Sequence, residues 1–168
     1  SGHTLNETFE SNRYDYTLNV PYVTDKLTMA AEATDPRSTI SYTLNGEKIN
    51  DLNNMPLKEG DNELKITVTS QSGKDQVYTV IIHRPVRSIT VESPNHVISF
   101  ENTPYPVVFN VLEDGNITSD YDIKDIQVKI NGYQGTYEIK KDYILMNPNV
   151  SMKDKSVEME IYYQNKVV

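Results

Sequence analysis

Apolar and polar residues alternate with a period of two along most of the chain. In the first half the pattern runs through residues 14–20, 27–33, 40–44, 64–68 and 76–83. Successive side chains of a strand point to opposite faces of a sheet, so each run is typical of a β-strand with one buried face. No stretch combines helical periodicity with capping residues. The pattern predicts an all-β chain.

The second half repeats the pattern with its own set of strands. Proline ends a strand because it lacks an amide hydrogen, and after Arg84-Pro85-Val86-Arg87 a new alternating run begins at Ser88. Short runs bounded by turn residues are predicted as further strands, at residues 97–100, 107–112, 126–130, 136–139, 143–146 and 157–163. Six or seven short strands per half favour a sandwich. We therefore predict two tandem antiparallel β-sandwich domains, Ig-like or cadherin-like, over residues 1–85 and 86–168.

Charge and composition exclude several classes of partner and chemistry. The 168 residues include 24 acidic and 16 basic ones, for a net charge of -8, which disfavours binding to nucleic acid and to anionic membranes. No apolar run approaches the roughly 18 residues that a membrane span needs, so we expect no membrane insertion. Cysteine is absent, which excludes disulfides, thiol nucleophiles and cysteine metal sites. A cysteine-free sandwich fits a Gram-positive bacterial surface protein better than a eukaryotic secreted one.

Short motifs follow one another in a set order through residues 4–84. They comprise Leu5, Phe9 and Tyr16 before Val20-Pro21, then Leu44-Asn45-Gly46, then Leu57, Gly60, Asn62, Leu64, Ile66 and Val68, and finally Gly73, Tyr78, Val80, Ile82 and Arg84. In this order and spacing they resemble the bacterial cadherin-like β-sandwich domain, a module of surface and secreted proteins. Copies of that family usually begin with one more strand before the position of Leu5. We therefore expect this chain to start inside the module.

Weaker motifs in the second half resemble a bacterial Ig-like domain. They are the extended segment Ser88-Ile89-Thr90-Val91 and the turn from Asp114 to Thr118. The two resemblances imply stalk, adhesion or carbohydrate-associated roles, and they carry over no catalytic residue. The chain opens with Ser1-Gly2-His3 and no visible signal peptide, so we expect a segment of a longer protein.

Tyrosine is unusually frequent, with 12 copies against 3 of Phe and none of Trp. The residues predicted to face the core and to be structural are Tyr14, Tyr16, Tyr42 and Tyr78. Four others are less constrained by the pattern: Tyr105, Tyr121, Tyr133 and Tyr162. Exposed rings could form a ligand platform on which a sugar stacks while each hydroxyl stays in water. The alternative is that these rings fill a sheet face.

Oxygen-rich clusters raise the question of calcium, which takes six to eight oxygen ligands. The best candidate is the loop with Asp120, Asp122 and Asp125. No EF-hand spacing is present, nor is the linker motif of true cadherins, and a polar loop without metal is the alternative. We expect no cofactor and no metal, with calcium at this loop left open.

Residues for acid–base or nucleophilic catalysis are sparse. The histidines, His3, His83 and His96, stand in no local pattern that suggests a triad, although His83 and His96 could approach each other across the junction. Glu158 and Glu160 share one face of a predicted strand, which we expect to be the solvent face and no glycosidase pair. Lys and Asn are plentiful, yet no trio identifies an intramolecular isopeptide crosslink.

We therefore expect a protein that is not an enzyme. The leading hypothesis is a stalk or adhesion segment of a bacterial cell-surface or secreted protein, extracellular and monomeric as a fragment. Its partners would be other domains of the same protein and a cell-wall or host glycan or protein. Two alternatives stay open: a carbohydrate-binding accessory module of a secreted glycan-active enzyme, and an assembly domain of a phage or other appendage.

Overall fold

A computed structural model describes residues 3–92, 104–151, 156–163 and 166–167. Contacts divide the chain into two compact units, unit 1 (residues 1–86) and unit 2 (residues 87–168). Apart from a 3-10 turn at Ile123–Asp125, the elements described are strands, and the all-β prediction is confirmed. In unit 1 they are β1 (Asp15–Asn19), β2 (Lys26–Leu27), β3 (Thr39–Leu44), β4 (Glu47–Ile49), β5 (Met55–Pro56), β6 (Gly60–Thr69) and β7 (Asp75–Arg84). In unit 2 they are β8 (Arg87–Val91), β9 (Tyr105–Glu113), β10 (Asn116–Ile117), β11 (Ile126–Asn131), β12 (Gly135–Ile139), β13 (Tyr143–Pro148), β14 (Glu158–Tyr163) and β15 (Lys166–Val167).

Unit 1 is built on one sheet in the order β1-β7-β6-β3-β4. The apolar alternation of each strand puts side chains such as Leu18, Leu64 and Ile82 on the inner face, where they are buried. Opposite this face lie the two-stranded ladder β2-β5 and the segments around it, which contribute Leu52 and Met55 to the same core. The second layer is therefore thinner than the first among the residues described.

One pairing departs from the predicted antiparallel arrangement. β1 runs parallel to β7, with Asp15 opposite Thr79 and Asn19 opposite His83. Parallel neighbours need a long crossover between them, and here most of unit 1 lies between the two strands in the chain. Alternation within a strand carries no information on the direction of its neighbour, so the sequence could not predict this pairing.

The predicted strand over residues 27–33 is wrong beyond its first residue. Only Lys26–Leu27 belongs to a ladder, and Met29 N donates a single further bond to Leu52 O at 3.0 Å. The alternation of burial still continues, since Met29, Ala31 and Ala33 are less exposed than the residues between them. The segment beyond Leu27 thus packs with one face inward but does not form a strand ladder with its neighbour.

A hairpin turn at Asn45-Gly46 joins β3 and β4. Both residues have positive φ, 51° and 83°, which is the conformation of a type I′ turn and which Asn and Gly tolerate best. The same geometry recurs at Asp114-Gly115 between β9 and β10, with φ of 48° and 80°. These turns fix the register of both hairpins.

Unit 2 contains two sheets. In the first, β9 pairs with β10, β8 and β13, and β13 pairs with β12; the second has the order β11-β14-β15. Buried apolar side chains come from both sheets, including Phe109, Ile144 and Met146 from the first and Ile126 and Ile161 from the second. The predicted strand at residues 97–100 lies outside the described residues. Within the part of the chain that is described, no helix is long and apolar enough to span a bilayer.

Candidate binding site

Four aromatic rings cluster at one end of the inner face of unit 1. Phe9 stacks on Tyr16 with ring centroids 5.5 Å apart, and it also lies 5.8 Å from Tyr78. Tyr14 approaches Tyr78 from the other side at 5.6 Å, with the planes inclined by 43°. Such offset and tilted contacts are the favoured geometries of aromatic pairs. The cluster therefore forms a continuous row of rings from Phe9 to Tyr14.

Backbone hydrogen bonds hold these rings in place. Tyr16 Oη donates to Glu10 O at 2.7 Å and accepts from Glu10 N at 3.0 Å. Tyr78 Oη donates to Ser11 O at 2.9 Å, and burial raises the pKa of this phenol. Thr79 N donates to Tyr14 O at 2.7 Å. The segment before β1 is thereby tied to β1 and β7, and the hydroxyls of Tyr16 and Tyr78 are fixed by hydrogen bonds.

The rings differ sharply in exposure. Tyr16 is 2% exposed and belongs to the core, whereas Phe9 is 60% and Tyr14 is 46% exposed. The prediction that Tyr14 is a core residue is therefore wrong. Tyr14 precedes β1, an edge strand of the sheet, and its ring lies against Tyr78 at the rim. The alternating pattern placed Tyr14 on the same face as Tyr16 and Leu18. It could not show that the sheet ends at Tyr14.

A cleft of about 520 Å³ opens beside the Tyr14 ring. We call it the Tyr14 cleft, and its polar lining comes from the start of β3, the β6–β7 turn and the start of β7: Ser38, Ser70, Lys74, Asp75 and Gln76. Val68 lines the Tyr14 cleft and also a second, apolar cavity of about 320 Å³ beneath Phe9, Tyr16 and Tyr78. Phe9, Tyr16 and Tyr78 thus line the apolar cavity, and Tyr14 lines the polar cleft.

The polar groups of the Tyr14 cleft are anchored by a compact turn. Ser70 N donates to Lys74 O at 2.9 Å, and Ser70 Oγ accepts from Lys74 N at 3.1 Å. Asp75 Oδ1 accepts from Thr69 Oγ1 at 2.6 Å, and Gln76 Nε2 donates to Ser11 O at 3.3 Å. Each carboxylate or amide retains capacity for one further bond after these contacts. The cleft can therefore present both donors and acceptors to a small polar ligand.

The four tyrosines predicted as a platform lie in unit 2, on different elements. Tyr105 begins β9 and Tyr162 lies on β14 of the other sheet, while Tyr121 and Tyr133 are in connecting segments. All four are half-buried. A hydrogen bond to the Glu160 carboxylate raises the pKa of Tyr162, and burial raises the pKa of Tyr121 and Tyr133. A platform made of these rings stays a prediction.

The three aspartates proposed for calcium are used locally. Asp122 Oδ1 caps the 3-10 turn by accepting from Lys124 N at 2.9 Å, and Asp125 Oδ2 accepts from Tyr163 Oη at 3.4 Å. Asp120 is exposed. Across residues 3–92, 104–151 and 156–163, no three acidic or histidine side chains are grouped so that they could hold a metal ion.

The candidates for acid–base chemistry are also dispersed. His83 Nδ1 lies 2.6 Å from Asp61 Oδ1, across the β6–β7 pair. Glu158 and Glu160 are both exposed on β14, and Glu160 Oε2 lies 3.7 Å from Lys129 Nζ. His3 is exposed near the start of the chain, and His96 lies outside the described residues. The contact between Glu160 and Lys129 is a surface ion pair of the kind that adds little to stability.

Residues 2–85 match the family model described as a cadherin-like β-sandwich domain. This stretch is half of the chain and coincides with unit 1 to within two residues.

Two individual proteins show lower similarity. A protein of Evansella cellulosilytica named "Putative membrane protein" is 27% identical in an alignment of length 139 that covers 78% of this chain and 20% of that protein. The chain thus spans about a fifth of the length of this curated relative. The solved structure of a Bacteroides ovatus mixed-linkage glucan utilization locus protein, SGBP-B, in complex with a mixed-linkage heptasaccharide aligns with a TM-score of 0.36 at 12% identity, over 97% of this chain and 46% of that one. A TM-score this low supports no inference about fold or ligand.

Proposed function

Because the chain belongs, through residues 2–85, to the cadherin-like β-sandwich domain family, we propose that it is a non-catalytic interaction module of a bacterial cell-surface or secreted protein. Its role is that of a stalk or adhesion segment. The observation that carries the proposal is the Tyr14 cleft, where a rigid sandwich presents a half-exposed ring beside polar side chains. Binding sites are commonly built in this way, on loops and rims positioned by a stable scaffold.

The arrangement of ionisable groups supports a non-catalytic role. Nucleophilic and acid–base catalysis need a base within hydrogen-bond reach of the nucleophile and oriented by a third group. The described histidines and the pair Glu158 and Glu160 are exposed or half-exposed and engaged in surface contacts. Interaction is therefore the simplest use of this surface.

A location outside the cytoplasm is supported by one relative. The chain spans about a fifth of that protein, whose name assigns it to a membrane. We propose that the module lies on the outer side of the envelope or is released from it.

Whole-cell labelling tests this proposal. Antibodies raised against the chain should label intact cells of the producing bacterium or detect the parent protein in the medium, while antibodies against a cytosolic protein should not. Labelling that appears only after the cells are permeabilised would place the module inside the cell and refute the proposal.

A carbohydrate-binding accessory role in a secreted glycan-active enzyme is the second candidate. It is favoured because the half-exposed Tyr14, the Gln76 amide and the Ser38 hydroxyl line the same cleft. The two candidates differ in the parent protein. A hydrolase domain on the same polypeptide would favour the accessory role, and wall-anchoring segments would favour the stalk or adhesion role.

A further inference from the structure

We propose that the Tyr14 cleft binds a neutral saccharide. This inference rests on the proposed function, because it names the ligand class of the same site. It differs from the sequence-based hypothesis, which placed a tyrosine platform on Tyr105, Tyr121, Tyr133 and Tyr162 of unit 2.

The Tyr14 ring supplies the apolar surface for the sugar. One face of a pyranose ring carries several C–H groups, which bury apolar area well against an aromatic face. Tyr14 is 46% exposed, so a large part of its ring is available to a ligand. Its ring lies against Tyr78, with the ring centroids 5.6 Å apart. This contact restricts the orientations of the ring, and a restricted platform loses less conformational entropy when a ligand binds.

The lining of the cleft matches the hydroxyl groups of a sugar. Sugar hydroxyls donate and accept hydrogen bonds, and the cleft offers both kinds of partner: the Gln76 amide, the Ser38 hydroxyl, the Lys74 ammonium and the Asp75 carboxylate. The donors and acceptors line the same cleft as Tyr14, and its volume of about 520 Å³ is within the size range of sites for small ligands. Ligand sites of this type place a few polar groups around an apolar platform.

Charge points to a neutral ligand. Lys74 and Asp75 are adjacent and of opposite sign, so the lining carries no net charge from this pair. The whole chain has a net charge of -8 and repels polyanions over the distance of a Debye length. Uronic acid polymers and phosphate-rich wall polymers are therefore disfavoured relative to neutral glycans.

Titration calorimetry with defined oligosaccharides tests the proposal on the full chain. The probes are cellohexaose, maltohexaose, xylohexaose and mannohexaose, with a galacturonate hexamer as the anionic comparison. At least one neutral probe should bind with a Kd below about 5 mM, and the galacturonate should bind more weakly. Tyr14→Ala should weaken binding about tenfold or more, because the stacking surface is lost, whereas Tyr14→Phe should retain it.

Matched variants keep the test independent of folding. Tyr137→Ala removes a ring of similar exposure, 41%, on β12 of unit 2, and it should leave binding unchanged. Lys74→Ala changes an exposed side chain of the cleft and should weaken binding several-fold with an unchanged melting temperature. If Tyr14→Ala unfolds the protein, the binding of the probes to Lys74→Ala alone shows whether the Tyr14 cleft is the saccharide site.

Two results would overturn the inference. One is the failure of every neutral probe to bind at about 5 mM; the other is binding that persists in both Tyr14→Ala and Lys74→Ala. Either result leaves the whole-cell labelling outcome untouched, so a wrong ligand class is distinguishable from a wrong location.

Discussion

Asn62 is a buried polar residue whose side chain joins several segments of unit 1 by hydrogen bonds. It is 0% exposed, although it is polar. Its Nδ2 donates to Lys58 O at 2.8 Å and more weakly to Gly60 O and Ile82 O, and its Oδ1 accepts from Lys58 N at 2.9 Å and from Asn45 Nδ2 at 3.1 Å. One side chain thereby joins the turn before β6, the β3–β4 hairpin and β7. A buried amide is stable here because its donors and acceptors are satisfied.

Asn62→Ala should therefore destabilise unit 1 by about 3 kcal/mol, because it leaves several buried backbone groups without a partner. Urea unfolding measures the change. Asn12→Ala, at an exposed loop position, is the matched control and should change the free energy of unfolding by less than about 0.5 kcal/mol. Equal effects of the two substitutions would show that the buried network does not stabilise the fold.

The Glu7 carboxylate, in the segment before β1, makes the stability of unit 1 depend on pH. Its carboxylate accepts hydrogen bonds from Thr17 N and Thr17 Oγ1, each at 2.8 Å, with Arg13 Nη2 at 3.8 Å. The bond from the Thr17 backbone, followed by that from its hydroxyl, lowers the pKa of Glu7 below its ordinary value of 4.5. A carboxyl with a lowered pKa in the folded state stabilises it above the unfolded pKa, and that contribution is lost as pH falls through the folded value.

Glu7→Gln should consequently lower the melting temperature at neutral pH. The gap to the parent protein should shrink once the pH falls below the ordinary value of 4.5, since the parent loses the charged interaction there as well. Melting curves across this range test the expectation, with Glu47→Gln on exposed β4 as the charge-matched control. A gap that stays constant down to the lowest pH would contradict the role of the Glu7 charge.

At the scale of elements, Arg84 closes unit 1 at the end of β7. Its Nε donates to Tyr22 O at 2.8 Å and its Nη1 to Leu57 O at 2.9 Å, while its guanidinium lies 5.0 Å from the centre of the Tyr22 ring. The guanidinium can contact two carbonyls and a ring at the same time because it is planar and carries several donors in fixed directions. The sequence marked Arg84 as the start of the boundary and as the last residue of the motif series, but it did not predict the contacts with Tyr22 and Leu57.

Arg84→Lys should cost about 1–2 kcal/mol in the stability of unit 1, because an ammonium cannot reach both carbonyls in the same geometry. Arg37→Lys provides the control, since the Arg37 side chain is 69% exposed and pairs with Asp35 at the surface. Chemical denaturation should separate the two variants. If Arg84→Lys is as mild as Arg37→Lys, the guanidinium is not a structural tie.

The elements also show what alternation can and cannot predict. It located the long strands β6, β7, β9 and β14, because a buried face imposes a period of two on the sequence. It missed β4, β5 and β10, which are two or three residues long and too short to show a period. It also missed the parallel β1–β7 pair, since strand direction depends on the chain path and not on the residues of the strand. The Tyr14 cleft was missed for the same reason: it forms where residues distant in sequence meet at a sheet edge.

At the scale of the whole molecule, each unit has its own set of buried side chains, and we expect each to unfold as a separate domain.

In unit 2, Arg87 has a side chain that is 3% exposed and pairs with Glu113 at 2.6 Å, beside the Tyr163 ring. Burial raises the pKa of Tyr163 to about 12, so this phenol stays neutral beside the guanidinium at physiological pH. The Glu113 side chain is 35% exposed, so only the arginine of this pair is buried, and its loss should cost less than the about 3–5 kcal/mol typical of a fully buried ion pair.

Arg87→Ala should accordingly destabilise residues 87–168 alone, and Asn62→Ala residues 1–86 alone. Hydrogen exchange followed by mass spectrometry in increasing urea reports the two units separately within one chain. Peptides from the unchanged unit should exchange as they do in the parent protein. Joint loss of protection in both units after either substitution would show a single cooperative domain.

The central claim is that this module acts by binding at the Tyr14 cleft. The most direct measurement is a map of backbone NMR shifts on the full chain as the four neutral probes, cellohexaose, maltohexaose, xylohexaose and mannohexaose, are added in turn. The account predicts shifts that concentrate around Tyr14, Lys74 and Gln76 and leave unit 2 unchanged. Shifts that concentrate around Tyr105, Tyr121, Tyr133 and Tyr162, or a spectrum that does not change at all, would contradict it.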